Sequence, residues 1–258
     1  MPLQIKKDKL DILVFPDRRS LGDAAATMVG DKIRELLSKK EYVNIIFAAA
    51  PSQNEFLQAL ITDTSIDWQK INAFHMDEYL GLRDGSPELF GSYLKTRIFA
   101  QVPFRSVNYI NASAVDIQKE CERYTELLAV NPPDIVCMGI GENTHIAFND
   151  PHKADFNDPK SIKMVSLDLI CRQQQVNDGC FDKLQEVPGY ALTLTIPALM
   201  KAPFIYCTVP GQTKAEAVWR TLTEPVTEDY PSTILRTHNS AILFVDEGSY
   251  RKYQNENL

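Results

Sequence analysis

No apolar run in this chain approaches the roughly 20 residues that cross a bilayer. The lysine-rich start, Met1 to Leu10, lacks the apolar core of a signal peptide. The expectation is a cytoplasmic protein with no membrane partner. Cysteine is sparse and scattered: Cys121, Cys137, Cys171, Cys180 and Cys207 are odd in number and contain no CxxC pair. That usage fits reduced thiols rather than a disulfide framework. Basic residues are in deficit, 27 Lys and Arg against 34 Asp and Glu, for a net charge of −7. A general nucleic-acid binder needs a basic face, so no nucleic-acid partner is expected. A small anionic substrate stays open, because a few local cations and a helix end suffice for one phosphate. The four histidines, His75, His145, His152 and His238, show no ligand spacing and there is no His-Glu-x-x-His, so no metal is expected. A dinucleotide fingerprint with a downstream acid is also missing, so no organic cofactor is expected. Repeats, low-complexity tracts and Gly/Ser linkers are absent.

An apolar fraction of 44% over 258 residues supports a full core and suits one large α/β domain or two small ones. Apolar strand-like runs stand at Asp11–Phe15, Val43–Ala48, Ile71–Met76, Asp134–Met138, Lys163–Leu167, Ala191–Thr195, Phe204–Val209 and Ala241–Val245. Helical spacing of apolar residues fills Asp17–Ser38. Further helices are predicted over Ser52–Ile61, about Pro87–Phe99, Asp116–Leu128 and from near Gln212. Ser52-Gln-Asn-Glu55 matches the capping box. The alternation predicts a three-layer α/β sandwich, mostly parallel in its sheet, with helices on both faces and spanning residues 1–258 as one domain. Pro151–Ile162 is rich in Asp, Asn, Pro and Lys and reads as a loop, with a lid as one use for it.

Four loops follow buried strands and converge on one sheet edge, where ligands bind in open α/β sheets. In Met138-Gly-Ile-Gly-Glu-Asn-Thr-His-Ile-Ala-Phe-Asn-Asp-Pro151, His145 lies among Glu142, Asn143 and Asp150. It reads as an acid–base centre or as a satisfied loop histidine. In Phe74-His-Met-Asp-Glu-Tyr-Leu-Gly81, Asp77 and Glu78 are adjacent acids. Neighbours on an extended chain point to opposite sides, so one of them faces the cleft. A partly desolvated carboxylate there can act as a base for a carbon acid; the plainer reading is a solvated acidic turn. In Ala48–Asn54 the strand turns into a helix start, with Ser52 as a phosphate donor or a simple N-cap. In Val209-Pro-Gly-Gln-Thr-Lys-Ala215, Lys214 sits in a first helical turn, where the dipole repels a cation unless an anion binds. Together the loops suit proton shuffling on a small phosphorylated substrate.

Met76-Asp-Glu-Tyr-Leu-Gly-Leu82, the segment Gly139–Pro151, Val187-Pro-Gly-Tyr-Ala-Leu-Thr193 and Gly211-Gln-Thr-Lys214 together resemble the glucosamine-6-phosphate deaminase family. The likeness runs from about Val43 to Val245. It implies a Rossmann-like fold shared with 6-phosphogluconolactonases and ribose-5-phosphate isomerases. It further implies conversion of glucosamine 6-phosphate, or of galactosamine 6-phosphate, to a ketose 6-phosphate and ammonia, without a cofactor. By the same resemblance His145 opens the sugar ring, Asp77 moves a proton between C2 and C1, and Asp150 stands where the family usually has Glu. Lys214 and the loop Ala49, Ala50, Ser52 and Gln53 hold the phosphate. Departures fall at Asn143, usually Asp, at Thr144, usually Gly, and at the phosphate loop, usually glycine-rich. A family arginine has no clear counterpart among Gln173–Phe181, and Arg172, just before that stretch, is the replacement the sequence offers. Two other readings are a 6-phosphogluconolactonase-like hydrolase, disfavoured by Ile146-Ala-Phe-Asn149 after the histidine, and a non-catalytic sugar-phosphate sensor, favoured by Asn143. The expected partner is a sugar phosphate, and a homo-oligomer is compatible with the sequence.

Overall fold

The computed structural model describes residues 2–177 and 179–257. The expected domain span includes Met1, Asp178 and Leu258, which lie outside the described residues, and Asp178 belongs to the stretch in which the family arginine lacks a counterpart. The strands are β1 (Leu3–Lys7), β2 (Leu10–Phe15), β3 (Val43–Phe47), β4 (Ile71–His75), β5 (Asp77–Leu80), β6 (Ser106–Asn108), β7 (Ile135–Met138), β8 (Ile162–Ser166), β9 (Tyr190–Leu194), β10 (Phe204–Val209) and β11 (Ala241–Asp246). The α-helices are α1 (Arg18–Leu37), α2 (Asn54–Ile61), α3 (Phe90–Leu94), α4 (Ile117–Val130), α5 (Leu169–Asn177), α6 (Ile196–Met200), α7 (Ala215–Thr223) and α8 (Glu247–Asn257).

The main sheet has the order β1-β2-β11-β10-β7-β3-β4-β6. From β2 to β6 all neighbours are parallel; β1 alone is antiparallel, to β2. After β3 the chain winds outward through β4 to β6, returns through α4 to β7 on the other side of β3, then continues to β10 and β11. The winding direction therefore reverses between β3 and β7. At such a reversal the loops leaving the carboxyl ends diverge and open a crevice.

Alternation along the strands feeds two cores. Val43, Ile45 and Phe47 of β3 pack with Leu21 and Val29 of α1 and Phe56 and Leu60 of α2. Ile46 packs on the opposite face with Tyr124 of α4 and Val218 and Leu222 of α7. That is the expected three-layer arrangement. Gly22 is where α1 meets α2: a Cβ there would lie 2.7 Å from Glu55 Cβ and 2.8 Å from Phe56 N.

Several local expectations are corrected. β8 and β9 do not join the parallel sheet. They form a separate antiparallel sheet, β5-β9-β8, because the chain bends at Met76 and carries Asp77–Leu80 away from the main sheet to pair with β9. Asp77 and Glu78 are thus strand residues rather than an acidic turn. The N-terminal segment adds β1, whose Leu3 and Ile5 alternate with polar residues on an edge strand. The helix expected over Pro87–Phe99 is shortened to α3 and continued by a π-turn, Lys95–Phe99. Ser52 closes no capping box: Pro51–Gln53 forms a 3₁₀ turn, and Glu55 pairs with Arg18 at 2.7 Å. The segment 151–162 lines no part of the crevice in this structure. It is tied down by Phe156 N–H to Glu228 at 2.7 Å and by Lys163 Nζ to Lys153 O at 2.8 Å.

Because the α1–α2 contact is backbone-close, Gly22→Ala is expected to lower unfolding stability by about 1–3 kcal/mol, the usual cost of overpacking. A urea titration showing an unchanged midpoint would contradict that contact.

Candidate active site

The crevice at the β3/β7 reversal is a cavity of about 330 Å³. All four loops named from the sequence reach it: Ala49, Ala50, Ser52 and Gln53 after β3, Asp77 after β4, His145 after β7 and Lys214 after β10. Arg18, Gln174 and Gln175 also line it.

The histidine loop is built around a glycine. A Cβ on Gly141 would stand 2.2–2.3 Å from the His145 ring atoms, so only glycine lets the imidazole lie against this turn. The ring Nδ1 is 2.7 Å from Asn143 Oδ1 and 3.1 Å from Asp150 Oδ1. Asn143 Nδ2 donates to the same Asp150 oxygen at 2.9 Å, which fixes the amide orientation. Two acceptors on Nδ1 place its proton there and leave the Nε2 lone pair for a ligand. A carboxylate therefore does meet the imidazole, from Asp150 rather than from position 143. Burial pushes the Asp150 carboxyl up, yet the hydrogen bond and charge of His145, with help from Asn143 and His152, outweigh it and hold the group below the usual aspartate range. Glu142 plays no part in this cluster: it does not line the cavity, and its backbone N–H donates to Gln174 Oε1 at 2.9 Å.

The turn is strained. Thr144 and Ala147 have φ of 72° and 49°, in the left-handed region, and a β-branched residue there is a genuine outlier. Thr144 is fully buried, and among the described residues its hydroxyl has no hydrogen-bond partner.

Alternation along β5 separates the two adjacent acids. Asp77 faces the cavity. Glu78 points the other way and accepts the backbone N–H groups of Tyr79, Phe90 and Gly91 at 2.8–2.9 Å, capping α3. Burial, opposed by those three hydrogen bonds, moves Glu78 to about 7. Asp77 is raised well above the ordinary aspartate range, first by burial and then by the charge of Glu78. His75 is a packed histidine. Its Nε2 accepts Ile110 N–H at 2.9 Å, so Nδ1 donates to Asp77 O, also at 2.9 Å, and burial lowers its pKa to about 4. It fixes the backbone from which Asp77 projects.

At the other end of the row, Gly211 takes φ of 98° and its N–H donates to both Asp246 oxygens at 3.0 and 2.9 Å. That anchors the turn Gln212–Lys214 and directs the buried Lys214 into the cavity wall. Gln53 is locked between loops: its Oε1 accepts Thr208 Oγ1 at 2.8 Å, and its Nε2 donates to Thr208 O and to Ser52 Oγ at 3.3 and 3.2 Å. Arg172 is not part of this wall. Its guanidinium donates to Leu184 O and Val187 O at 2.8 Å, bracing the chain before β9. The arginine at the cavity is Arg18, in the first turn of α1, held by Pro51 O at 3.0 Å and by Glu55. Sequence reasoning missed it, although the argument that drew attention to Lys214, a cation in a first helical turn, applies equally well to Arg18. Gln174 and Gln175 were missed because α5 carries no clear apolar period.

The profile of a family described as glucosamine-6-phosphate isomerases/6-phosphogluconolactonase matches residues 16–244. The chain belongs to this family. Among its relatives, a glucosamine-6-phosphate deaminase of Streptococcus suis (strain 05ZYH33) is 33% identical over 227 residues, covering 88% of this chain and 94% of that protein. One of Bacillus cereus (strain B4264) is 30% identical over 238 residues, covering 92% and 87%. Among solved structures, a monomeric glucosamine-6-phosphate deaminase superposes with a TM-score of 0.84 at 27% identity, covering 93% of this chain and 98% of that one. A 6-phosphogluconolactonase from Thermotoga maritima shares the fold, with a TM-score of 0.74 at 20% identity and coverage of 92% and 100%. Within the family frame, Thr144 occupies the strained position just before the histidine.

Thr144→Gly is expected to raise unfolding stability by about 1 kcal/mol, by relieving a left-handed β-branched residue. A lower urea midpoint for the variant would show that the turn is not strained.

Proposed function

We propose that this family member is a deaminating aldose–ketose isomerase that converts glucosamine 6-phosphate and water to fructose 6-phosphate and ammonia. The observation that carries the reading is one cavity holding a buried carboxylate with a raised pKa, a histidine oriented through Nδ1, and two cations. In this reading Lys214 and Arg18 face the phosphate, with Ser52 donating its hydroxyl. The loops after β10, β7, β3 and β4 leave consecutive neighbours in the sheet, so one small ligand over these strand ends can reach all four.

His145 Nε2 takes the proton of the anomeric hydroxyl and returns it to the ring oxygen, opening the ring. Asp150 and Asn143 hold the imidazole for this and stabilise its transient cation. Asp77 then removes the C2 proton and delivers it to C1 through the enol, leaving an imine at C2 that water hydrolyses with loss of ammonia. Burial that raises the Asp77 pKa makes it a stronger base for a carbon acid. The neutral Asn143 is tolerated because Asp150 supplies the charge. A cytoplasmic location suits five cysteines that form no disulfide among the described residues, four of them buried.

Purified protein is expected to release ammonia and ketose phosphate from glucosamine 6-phosphate, with galactosamine 6-phosphate as the discriminating comparison. Asp77→Asn should lower kcat by about 10²-fold or more while leaving the fold intact, the usual scale for loss of an acid–base group. Normal turnover by that variant would overturn the assignment. The pH dependence has a definite sign. Asp77 works deprotonated and its pKa is raised, so kcat/KM should fall on acidification at a pH above the usual carboxylate range. A profile flat down to that range would place the base elsewhere.

A further inference from the structure

One buried side chain beside the histidine has no part in the reading above. Cys171 of α5 is fully buried, and one ligand atom each from His145, Asp150 and Cys171 lie within 4.8 Å of one another. Burial first, and then the charges of Asp150 and Asp168, push the thiol well above its ordinary range, so it is a neutral S–H at rest. Asp150 is also fully buried. Its Oδ1 takes both His145 and Asn143, and the carboxylate also hydrogen-bonds the Cys171 side chain. Imidazole, carboxylate and thiol thus meet as one buried cluster of three metal-ligating side chains.

We infer that His145, Asp150 and Cys171 form a binding site for a thiophilic divalent cation such as Zn²⁺, and that occupancy switches the active site off. The donor set of one imidazole, one carboxylate and one thiolate is borderline-soft, which selects zinc over magnesium or calcium. Metal–ligand bonds of about 2.0–2.3 Å put tetrahedral ligand atoms about 3.5 Å apart. The observed cluster reaches that spacing by side-chain shifts of about an ångström. The fourth position falls to water or to Asn143 Oδ1, which already lies 2.7 Å from the imidazole Nδ1. The route in is the cavity itself, since His145 lines it while Cys171 lies behind.

The chemistry of inhibition follows from the tautomer. A cation on Nδ1 displaces the proton held there, and the neutral imidazole then carries its N–H on Nε2. The Nε2 lone pair is lost, so the ring no longer accepts a proton from a sugar hydroxyl. The cation also takes the charge of Asp150 that would otherwise steady a protonated His145. On binding, the Cys171 thiol releases its proton to solvent, so affinity rises with pH. Sequence spacing gave no sign of this site, because its ligands come from a loop and a helix that only the fold brings together.

The inhibitory consequence rests on the proposed role of His145; the binding site does not, and the two are tested separately. Co²⁺ is titrated into the full-length protein while the thiolate-to-cobalt charge-transfer band is followed in the near ultraviolet. One equivalent per chain is expected to give the band in the wild type, with none in Cys171→Ala or Cys171→Ser. In parallel, Zn²⁺ should inhibit ammonia release reversibly, with chelator restoring it. Either cysteine variant should keep its metal-free activity and need at least about tenfold more Zn²⁺, the scale for losing a ligand-shell group. Absence of the cobalt–thiolate band, or a band that persists in both variants, overturns the site. A normal band with undiminished Zn²⁺ inhibition in both variants overturns the switch.

Discussion

The reversal of strand order between β3 and β7 is the constraint on which the rest depends. Parallel strands deliver their following loops to one edge, and a reversal prevents the crossovers on either side from closing over that edge. Lys214, His145, Ser52 and Asp77 follow β10, β7, β3 and β4, which are consecutive neighbours in the sheet. The second sheet serves the same end. By pairing with β9, the chain after Met76 is held extended, and that sends Asp77 to the cavity and Glu78 to the α3 terminus.

Burial does most of the electrostatic tuning, with opposite outcomes for two carboxylates in one cavity region. Asp77 meets burial and the like charge of Glu78, and is held as a weak acid. Asp150 is buried too, yet the imidazole and amide beside it reverse the outcome and hold it below the usual aspartate range. Two buried aspartates thus reach different protonation behaviour, Asp77 through desolvation first and Asp150 through its hydrogen-bonded neighbours. Such a separation is how one site supplies both a base and a charge stabiliser.

Much of the frame was legible in the sequence, for reasons that can be named. The central strands are short apolar runs followed by turn-forming residues, and their alternation is local. Which sheet a strand joins is not local, which is why Lys163–Leu167 and Ala191–Thr195 were placed with the wrong neighbours. The alternating polarity of β1 was hidden by its lysines. Among the site positions, the structure sets Asp77, His145, Ser52 and Lys214 around one cavity, because each directly follows a buried strand. Arg172 was proposed from its distance along the chain alone. Its guanidinium is spent on two backbone carbonyls, and the arginine at the cavity comes from the opposite end of the sequence. Gln174 and Gln175 depend on how α5 is docked, which no local pattern records.

The Gln53 bridge has a consequence for how binding energy is distributed. One buried amide joins the loop after β3 to the end of β10, 155 residues apart, through contacts to both the Thr208 hydroxyl and its carbonyl. The two strand ends that carry Ser52 and the Lys214 turn therefore behave as one rigid body. A ligand that engages both meets a surface already assembled, and little of its affinity goes into ordering the protein. What is saved at the non-reacting end of a substrate remains available to distort and orient the end that reacts.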